Sequence, residues 1–266
     1  MFYDFNIPYP TSAADRVGYE NLKKILVQLS KYRRGVVALN HTVVGKVNAS
    51  QANPILPVEA SPDIQQLSRL TVVADDVTHN YGLHSNNPTV NAFDLLAIRT
   101  SNEKVFAAAC SSYEIDIISL ECSSRLPFFL KGSTLGQALD REVYFEISYA
   151  AGIRDQNARR HLYNNAKRLV TVTKGKNIIF SSEALNALEI RSPHDLIAFG
   201  VSIGLNQAKA KDCITENCRR VLKRSETRRV THKAVISVVS DKSAEAVKKR
   251  KNEADNSQNA KSRKTQ

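Results

Sequence analysis

Seven short apolar runs begin near residues 2, 36, 70, 95, 115, 144 and 178, and their spacing restricts the fold more than any other feature of the chain. Steps of 20 to 34 residues leave room for one helical return between successive strands, as parallel pairing demands. The runs are Phe2–Phe5, Val36–Leu39, Leu70–Ala74, Asp94–Ile98, Ile115–Leu120, Tyr144–Ile147 and Asn177–Phe180. They lack clean apolar/polar alternation, so both faces of the sheet are expected to be covered. The pattern predicts an α/β protein whose strands form a closed or nearly closed (β/α) barrel. An open doubly wound sheet is the alternative, because spacing alone does not fix strand order.

The segments between the runs carry helix signals. Tyr19, Leu22, Ile25, Leu26 and Leu29 recur at helical spacing within residues 16–33. Thr100 and Glu103 make a capping-box pair ahead of Val105, Phe106, Ala109 and Cys110. Residues 134–141 read as a short helix, and Ala158, Leu162, Ala166 and Leu169 mark a long amphipathic one. Ser192-Pro193-His194-Asp195 is a helix start. Ser192 caps, Pro193 lacks only an amide hydrogen that a first turn leaves unpaired, and Asp195 stands where a carboxylate completes the box. Asn206 caps a further helix with Ala210, Ile214, Cys218 and Val221 on one face. Residues 42–62, with Gly45, Pro54, Pro57 and Pro62, read as a surface loop, and 231–240 as an extended segment. From Lys242 onward Lys, Ser, Asn, Glu and Ala replace aromatic and branched residues. The expected organisation is therefore a barrel with a basic helical extension over 1–240 and a disordered basic tail over 241–266.

Net charge is +12, and residues 205–266, with 17 basic and 7 acidic side chains, carry ten of the excess positive charges. A near-neutral body with a basic end suits a polyanion such as nucleic acid, against the plainer reading of a solvated surface. Guanidinium groups bind phosphate through paired donors and lysines through mobile point charges. The candidates for RNA or protein-partner contact are Arg159, Arg160, Lys176, Arg191, Arg219, Arg220, Lys223, Arg224, Arg228 and Arg229. Arg69 and Arg99 flank strands and are read instead as locks on neighbouring loops. Lys248-Lys249-Arg250-Lys251 suits a nuclear-entry signal or a phosphate-contacting arm. No apolar run approaches the about 18 residues of a membrane span, and the first residues lack a secretory leader pattern. Four cysteines without a CxxC pair suggest thiols in a reducing compartment.

Catalytic signatures are missing. Asp4, Asn6, His41, Asp75, Asp76, His79 and His84 could in principle converge on Zn or Mn, but no HxH, HExxH or CxxC pattern specifies such a site, and Asn6 is a poor ligand. Hydrogen-bonding or solvated roles are expected for them. Ser181-Ser182 lacks the GxSxG elbow and is expected to satisfy backbone groups at a crowded strand exit. Cys110 reads as core and His194 as a first-turn residue. Gly132, Gly136, Gly175 and Gly204 make neither a Rossmann fingerprint nor a P-loop. No catalytic residue and no metal ligand is assigned.

A set of ordered motifs completes the reading. Val-Ala-Leu-Asn-His at 37–41, Ser-Arg-Leu-Thr-Val-Val at 68–73, Leu-Pro-Phe-Phe-Leu-Lys at 126–131, Ala-Leu-Asp-Arg at 138–141 and Phe-Glu-Ile-Ser-Tyr at 145–149 stand in one order. Gly-Lys-Asn-Ile-Ile-Phe-Ser-Ser at 175–182, Leu-Glu-Ile-Arg-Ser-Pro at 188–193, Thr-Glu-Asn-Cys-Arg-Arg at 215–220 and Glu-Thr-Arg-Arg at 226–229 follow. From about residue 1 to 239 the chain resembles the 30 kDa protein subunit family of ribonuclease P, whose eukaryotic branch also serves RNase MRP. The resemblance implies a distorted seven-stranded TIM-like barrel, related to the polymerase and histidinol phosphatase superfamily, with extra C-terminal helices. It implies a noncatalytic subunit supporting RNA-catalysed 5′ maturation of precursor tRNA, and ribosomal-RNA processing through RNase MRP. Mg²⁺ would be held by the RNA, as two-metal chemistry requires, and not by this chain. Implied partners are the ribonuclease P and MRP RNAs and other protein subunits, a small ferredoxin-like one among them, in the nucleus and nucleolus. In enzymes of the superfamily, histidines near the first strand bind metal, and Asp4-Phe5-Asn6 stands here instead of His-x-His. A metallophosphoesterase on the same barrel is the alternative.

Overall fold

Seven parallel strands stand side by side in the order of the sequence. They are β1 (Phe2–Pro8), β2 (Gly35–Val44), β3 (Ile64–Val73), β4 (Leu95–Arg99), β5 (Ile117–Leu120), β6 (Tyr144–Ser148) and β7 (Ile178–Ser181). The computed structural model describes residues 1–10, 12, 14–32, 35–47, 55–59, 63–76, 83, 87–232 and 235–236. Helices α1 (Arg16–Ser30), α2 (Pro88–Asn91), α3 (Glu103–Ser111), α4 (Gly132–Asp140), α5 (Ala151–Arg154) and α6 (Gln156–Thr173) make the returns. After β7 come α7 (Pro193–Ser202), α8 (Gln207–Asp212) and α9 (Glu216–Val230). Among the described residues no helix is long and apolar enough to cross a membrane.

The unbroken apolar strands have a simple cause, since successive side chains serve two cores. Leu96 and Ile98 of β4 face the helices, whereas Leu95 and Ala97 join Tyr3, Phe5, Ala38, Ile117 and Ile179 inside the barrel. A register shift between Asp4 and Ile7 bends β1 against β2.

The barrel is nearly closed, and a helix connection takes the place of the ladder that β1 and β7 lack. At the C-terminal end, Glu183 N–H donates to Asn6 O (2.9 Å) and Ser182 N–H to Asp4 Oδ1 (3.0 Å). Lower down, the free edge of β7 is taken by the α8–α9 turn. Phe180 N–H donates to Cys213 O (3.2 Å) and Asn217 Nδ2 to Ile178 O (2.8 Å). Cys218 and Val221 of α9 then enter the inner core, so this helix plugs the N-terminal mouth. A doubly wound sheet would instead have helices on two faces and two unpaired edges.

Several boundaries differ from those expected. The first helix ends at Ser30, not at residue 33. β2 continues to Val44, past the expected loop start, because all ten of its residues pair with β3, which begins at Ile64. Gln65, Gln66, Ser68 and Arg69 hide that early start. β5 begins at Ile117, since Asp116 directs its carboxylate to Leu96 N–H (2.9 Å). The cap of α3 is Asn102, which accepts Lys104 N–H (2.9 Å), while Thr100 Oγ1 accepts Asn102 N–H (3.0 Å). The short helix expected from residue 134 starts at Gly132. The helix expected from Asn206 is two helices, because the Cys213 carbonyl between them is committed to β7. The capping box at Ser192 and Asp195 is present with both bonds, 3.2 and 3.1 Å.

Residues from Val230 onward form a separate unit. In it β8 (Thr231–His232) and β9 (Val235–Ile236) pair antiparallel, in keeping with an extended start to 231–240. The expected disorder from Lys242, the basic run 248–251, His79 and His84 all lie outside the described residues.

Candidate nucleic-acid interface

The C-terminal mouth of such a barrel is where an enzyme keeps its reacting groups. Here it is filled by the chain's own ion pair. Arg69 projects inward from β3 and Glu146 from β6, both side chains fully buried, in a two-pronged contact of 2.5 and 2.7 Å. Arg69 also donates to Phe5 O (2.7 Å) at the β1 irregularity and to Thr71 Oγ1 (3.0 Å). The network continues from Thr71 to Asn40 and from Asn40 to Asn6, each 2.7 Å, and from Asn6 back to Glu146 (3.3 Å). Burial would push the Glu146 carboxyl up, but the Arg69 guanidinium holds it below its ordinary value. Arg69 is therefore not a loop lock but the centre of the barrel. Arg99 does act as one, with a bidentate pair to Glu183 (2.8 and 2.8 Å) in the loop after β7.

These residues do not suit a metal centre. A guanidinium occupies the middle of the mouth, Asn6 and Asn40 bond each other, and Glu146 is spent on Arg69. Among the described residues no three His, Cys, Asp or Glu side chains are grouped to hold an ion. Nothing in this arrangement supports the metallophosphoesterase reading. Of the serine pair, Ser181 is buried with no partner for its Oγ among the described residues, so the expectation that it satisfies a backbone group does not hold for it. Ser182 is buried, and its Oγ accepts Ala184 N–H (3.3 Å). Burial pushes the Cys110 and Cys122 thiols up to about 12.

Asp4 brings a second carboxyl into the mouth. One of its oxygens accepts Ser182 and Asn6 N–H, and the other has no partner. Burial pushes its carboxyl up to about 6 against an ordinary 3.8, with the Ser182 and Asn6 bonds opposing the rise. A folded-state value raised above the unfolded one means that the folded chain holds the proton more tightly. The associated stability is fully present below about pH 4 and is lost as pH rises through 6, about 3 kcal/mol in all. Urea unfolding of wild type and Asp4→Asn at both ends of that window should show a much smaller pH slope in the variant.

The basic candidates separate into three groups. Arg159, Arg160 and Arg191 stand at the C-terminal end, on the first turn of α6 and just before α7, all exposed. Lys176 is exposed at the opposite end, ahead of β7. The remaining six lie on α9, and the structure divides them. The Arg228 side chain is almost fully buried, donating to both carboxylate oxygens of Asp116 (3.0–3.1 Å). Arg224 donates to Ile115 O (3.1 and 3.2 Å) and to Arg141 O. The expectation that these two face a polyanion does not hold, because their donors staple α9 across the strand starts, to the carbonyls of Ile115 and Arg141 and the buried Asp116 carboxylate. Arg229 pairs with Asp94 (2.9 Å) at the rim. Arg219, Arg220 and Lys223 are exposed, and Glu216 pairs with the two arginines at 3.0 and 3.3 Å. Sequence reasoning missed Asp116 as the acid that fixes α9. Its place one residue before a strand was the only signal.

Comparison with known proteins gives this geometry a context. Residues 1–230 match the family model described as RNase P subunit p30. The chain is 36% identical over 239 residues to the "Probable ribonuclease P protein subunit 3" of Schizosaccharomyces pombe, covering 89% of this chain and 99% of that one. It is 33% identical over 222 residues to "Ribonuclease P protein subunit p30" of Mus musculus, covering 79% and 83%. It is 27% identical over 254 residues to "Ribonuclease P/MRP protein subunit RPP1" of Saccharomyces cerevisiae, covering 89% and 84%. A chain in a cryo-EM structure of archaeal ribonuclease P with mature tRNA has the same fold, with TM-score 0.60 at 14% identity over 90% of this chain and 98% of that one. With the family model spanning the barrel and the whole of α9, and relatives above 30% identity along most of their length, the chain belongs to the RNase P subunit p30 family.

Proposed function

We propose that this chain is a structural subunit of ribonuclease P. It supports an RNA-based active site that frees the 5′ end of mature tRNA, and it cleaves no bond itself. One observation carries the noncatalytic part. In a barrel that matches the p30 family from end to end, the mouth is closed by the Arg69–Glu146 pair. The Mg²⁺ ions of the reaction belong in this reading to the RNA. The printed name of the Saccharomyces relative supports a second placement in RNase MRP, with a part in ribosomal-RNA processing. Nuclear and nucleolar residence and a small ferredoxin-like protein partner are part of the same proposal.

Native affinity purification with RNA sequencing tests it. Ribonuclease P RNA should accompany the chain, the isolated chain should not cleave precursor tRNA, and its depletion should lower cleavage by the particle. Metal-dependent cleavage by the purified chain alone would end the proposal. The α9 surface gives a quantitative check. Converting Arg219, Arg220 and Lys223 to glutamine should weaken RNA association and flatten its salt dependence. The log–log slope should fall by up to about 0.7–0.9 for each phosphate that is no longer neutralised. An unchanged salt titration would assign the face to protein contact.

A further inference from the structure

Between α6 and α7, at the C-terminal end of the barrel, lies an open cleft of about 200 Å³. Its floor is apolar, made by Leu162, Leu196 and Phe199, and Tyr163 stands at its edge, 40% exposed and edge-on to Phe199 at 5.4 Å. Polar groups converge on this floor from one side. The buried Tyr149 hydroxyl accepts Arg191 N–H (3.3 Å), and no described residue accepts its own proton. Arg159 Nε donates to Gly152 O (2.7 Å) of α5, which holds its guanidinium beside the opening.

Three guanidinium groups, of Arg159, Arg160 and Arg191, face two carboxylates, of Asp155 and of Asp195 at the cleft wall, so the rim keeps a net positive charge. Asp155 is spent on Ala158 N–H (2.7 Å), Asp195 on the capping box of α7, and Glu189 on Arg154 (2.7 Å) and Leu185 N–H (2.9 Å). The guanidinium groups of Arg160 and Arg191 have no acceptor among the described residues. An aromatic-edged apolar floor with cations on the rim is the combination that recognises an unstacked base and the phosphates beside it. An aliphatic side chain of a protein would fill the floor but leave the rim and the Tyr149 proton unused.

We propose that this cleft receives one unstacked base of a single-stranded RNA segment. The base lies against Tyr163 and the apolar floor, and Arg159 and Arg191 meet the flanking phosphates. The inference rests on the reading of this chain as an RNA-holding subunit, and it adds a base-binding site separate from the α9 surface.

The test compares a short labelled oligoadenylate with an abasic ribose-phosphate chain of the same length, by fluorescence anisotropy with the full chain. Tyr163→Ala should weaken oligoadenylate binding about 5- to 100-fold, the range of a lost base–aromatic stack, and leave the abasic chain unchanged. Tyr163→Phe should restore binding, and Arg191→Gln should weaken both probes. Equal effects of Tyr163→Ala on the two probes, or none, would overturn the base site. Photocrosslinking from Tyr163 in the native particle should reach RNA, and a crosslink to a protein subunit would overturn it as well. Wild-type particles that retain ribonuclease P RNA while the cleft fails these tests would sink this inference alone. Loss of that RNA from wild type would sink the functional reading with it.

Discussion

Glu146→Ala is expected to destabilise the chain by about 3–5 kcal/mol, measured as a shift in the urea or thermal midpoint. The physical reason is the cation left behind. Arg69 is fully buried and its two terminal nitrogens meet the Glu146 oxygens. A guanidinium does not escape by losing its proton at any ordinary pH. Its charge would remain in the barrel with only Phe5 O and Thr71 Oγ1 as acceptors. Removing both partners should cost much less than removing either, since an apolar pair of similar volume faces no such desolvation. Arg69→Met with Glu146→Leu should therefore recover much of the loss. Equal costs for the single and double variants would show that the pair is not coupled as the geometry requires.

Arg228→Ala should have the second largest effect, about 3 kcal/mol, for a related reason. Asp116 is fully buried and uses both oxygens on Arg228, keeping only Leu96 N–H once the arginine is gone. The consequences differ in place. Losing Glu146 weakens the whole barrel, whereas losing Arg228 releases α9 from the N-terminal mouth and uncovers Tyr3, Tyr144 and their inner-core neighbours. Hydrogen exchange should report faster opening of α9 at fixed protection of β2 and β3. RNA association should fall with it, although the Arg228 side chain is almost fully buried. Charge removal at Arg219 and Arg220, both exposed, should leave exchange unchanged.

Much of this was legible from residue order because the causes are local or periodic. Strand spacing, the Ser192–Asp195 capping box and the burial of Cys110 all follow from patterns within a few turns. The polar half of the barrel was not legible, since Arg69 and Glu146 lie 77 residues apart and nothing near either names the other. Arg224 and Arg228 looked like Arg219 and Arg220, because a one-dimensional count of charge cannot distinguish a face turned to solvent from one turned to Asp116 and Ile115.

Residue order was enough to establish seven parallel strands joined by returns, and the family the chain resembles, because both depend on the spacing of residue types. How the ring is finished, and which charges stay outside it, emerges only once the chain has folded. The β1–β7 gap is bridged by Glu183 N–H at one end, the turn between α8 and α9 takes the β7 edge lower down, and two arginines of α9 hold that helix against Asp116, Ile115 and Arg141. Those outcomes depend on which groups are left without partners once the strands have curled, and such a shortage exists only in three dimensions.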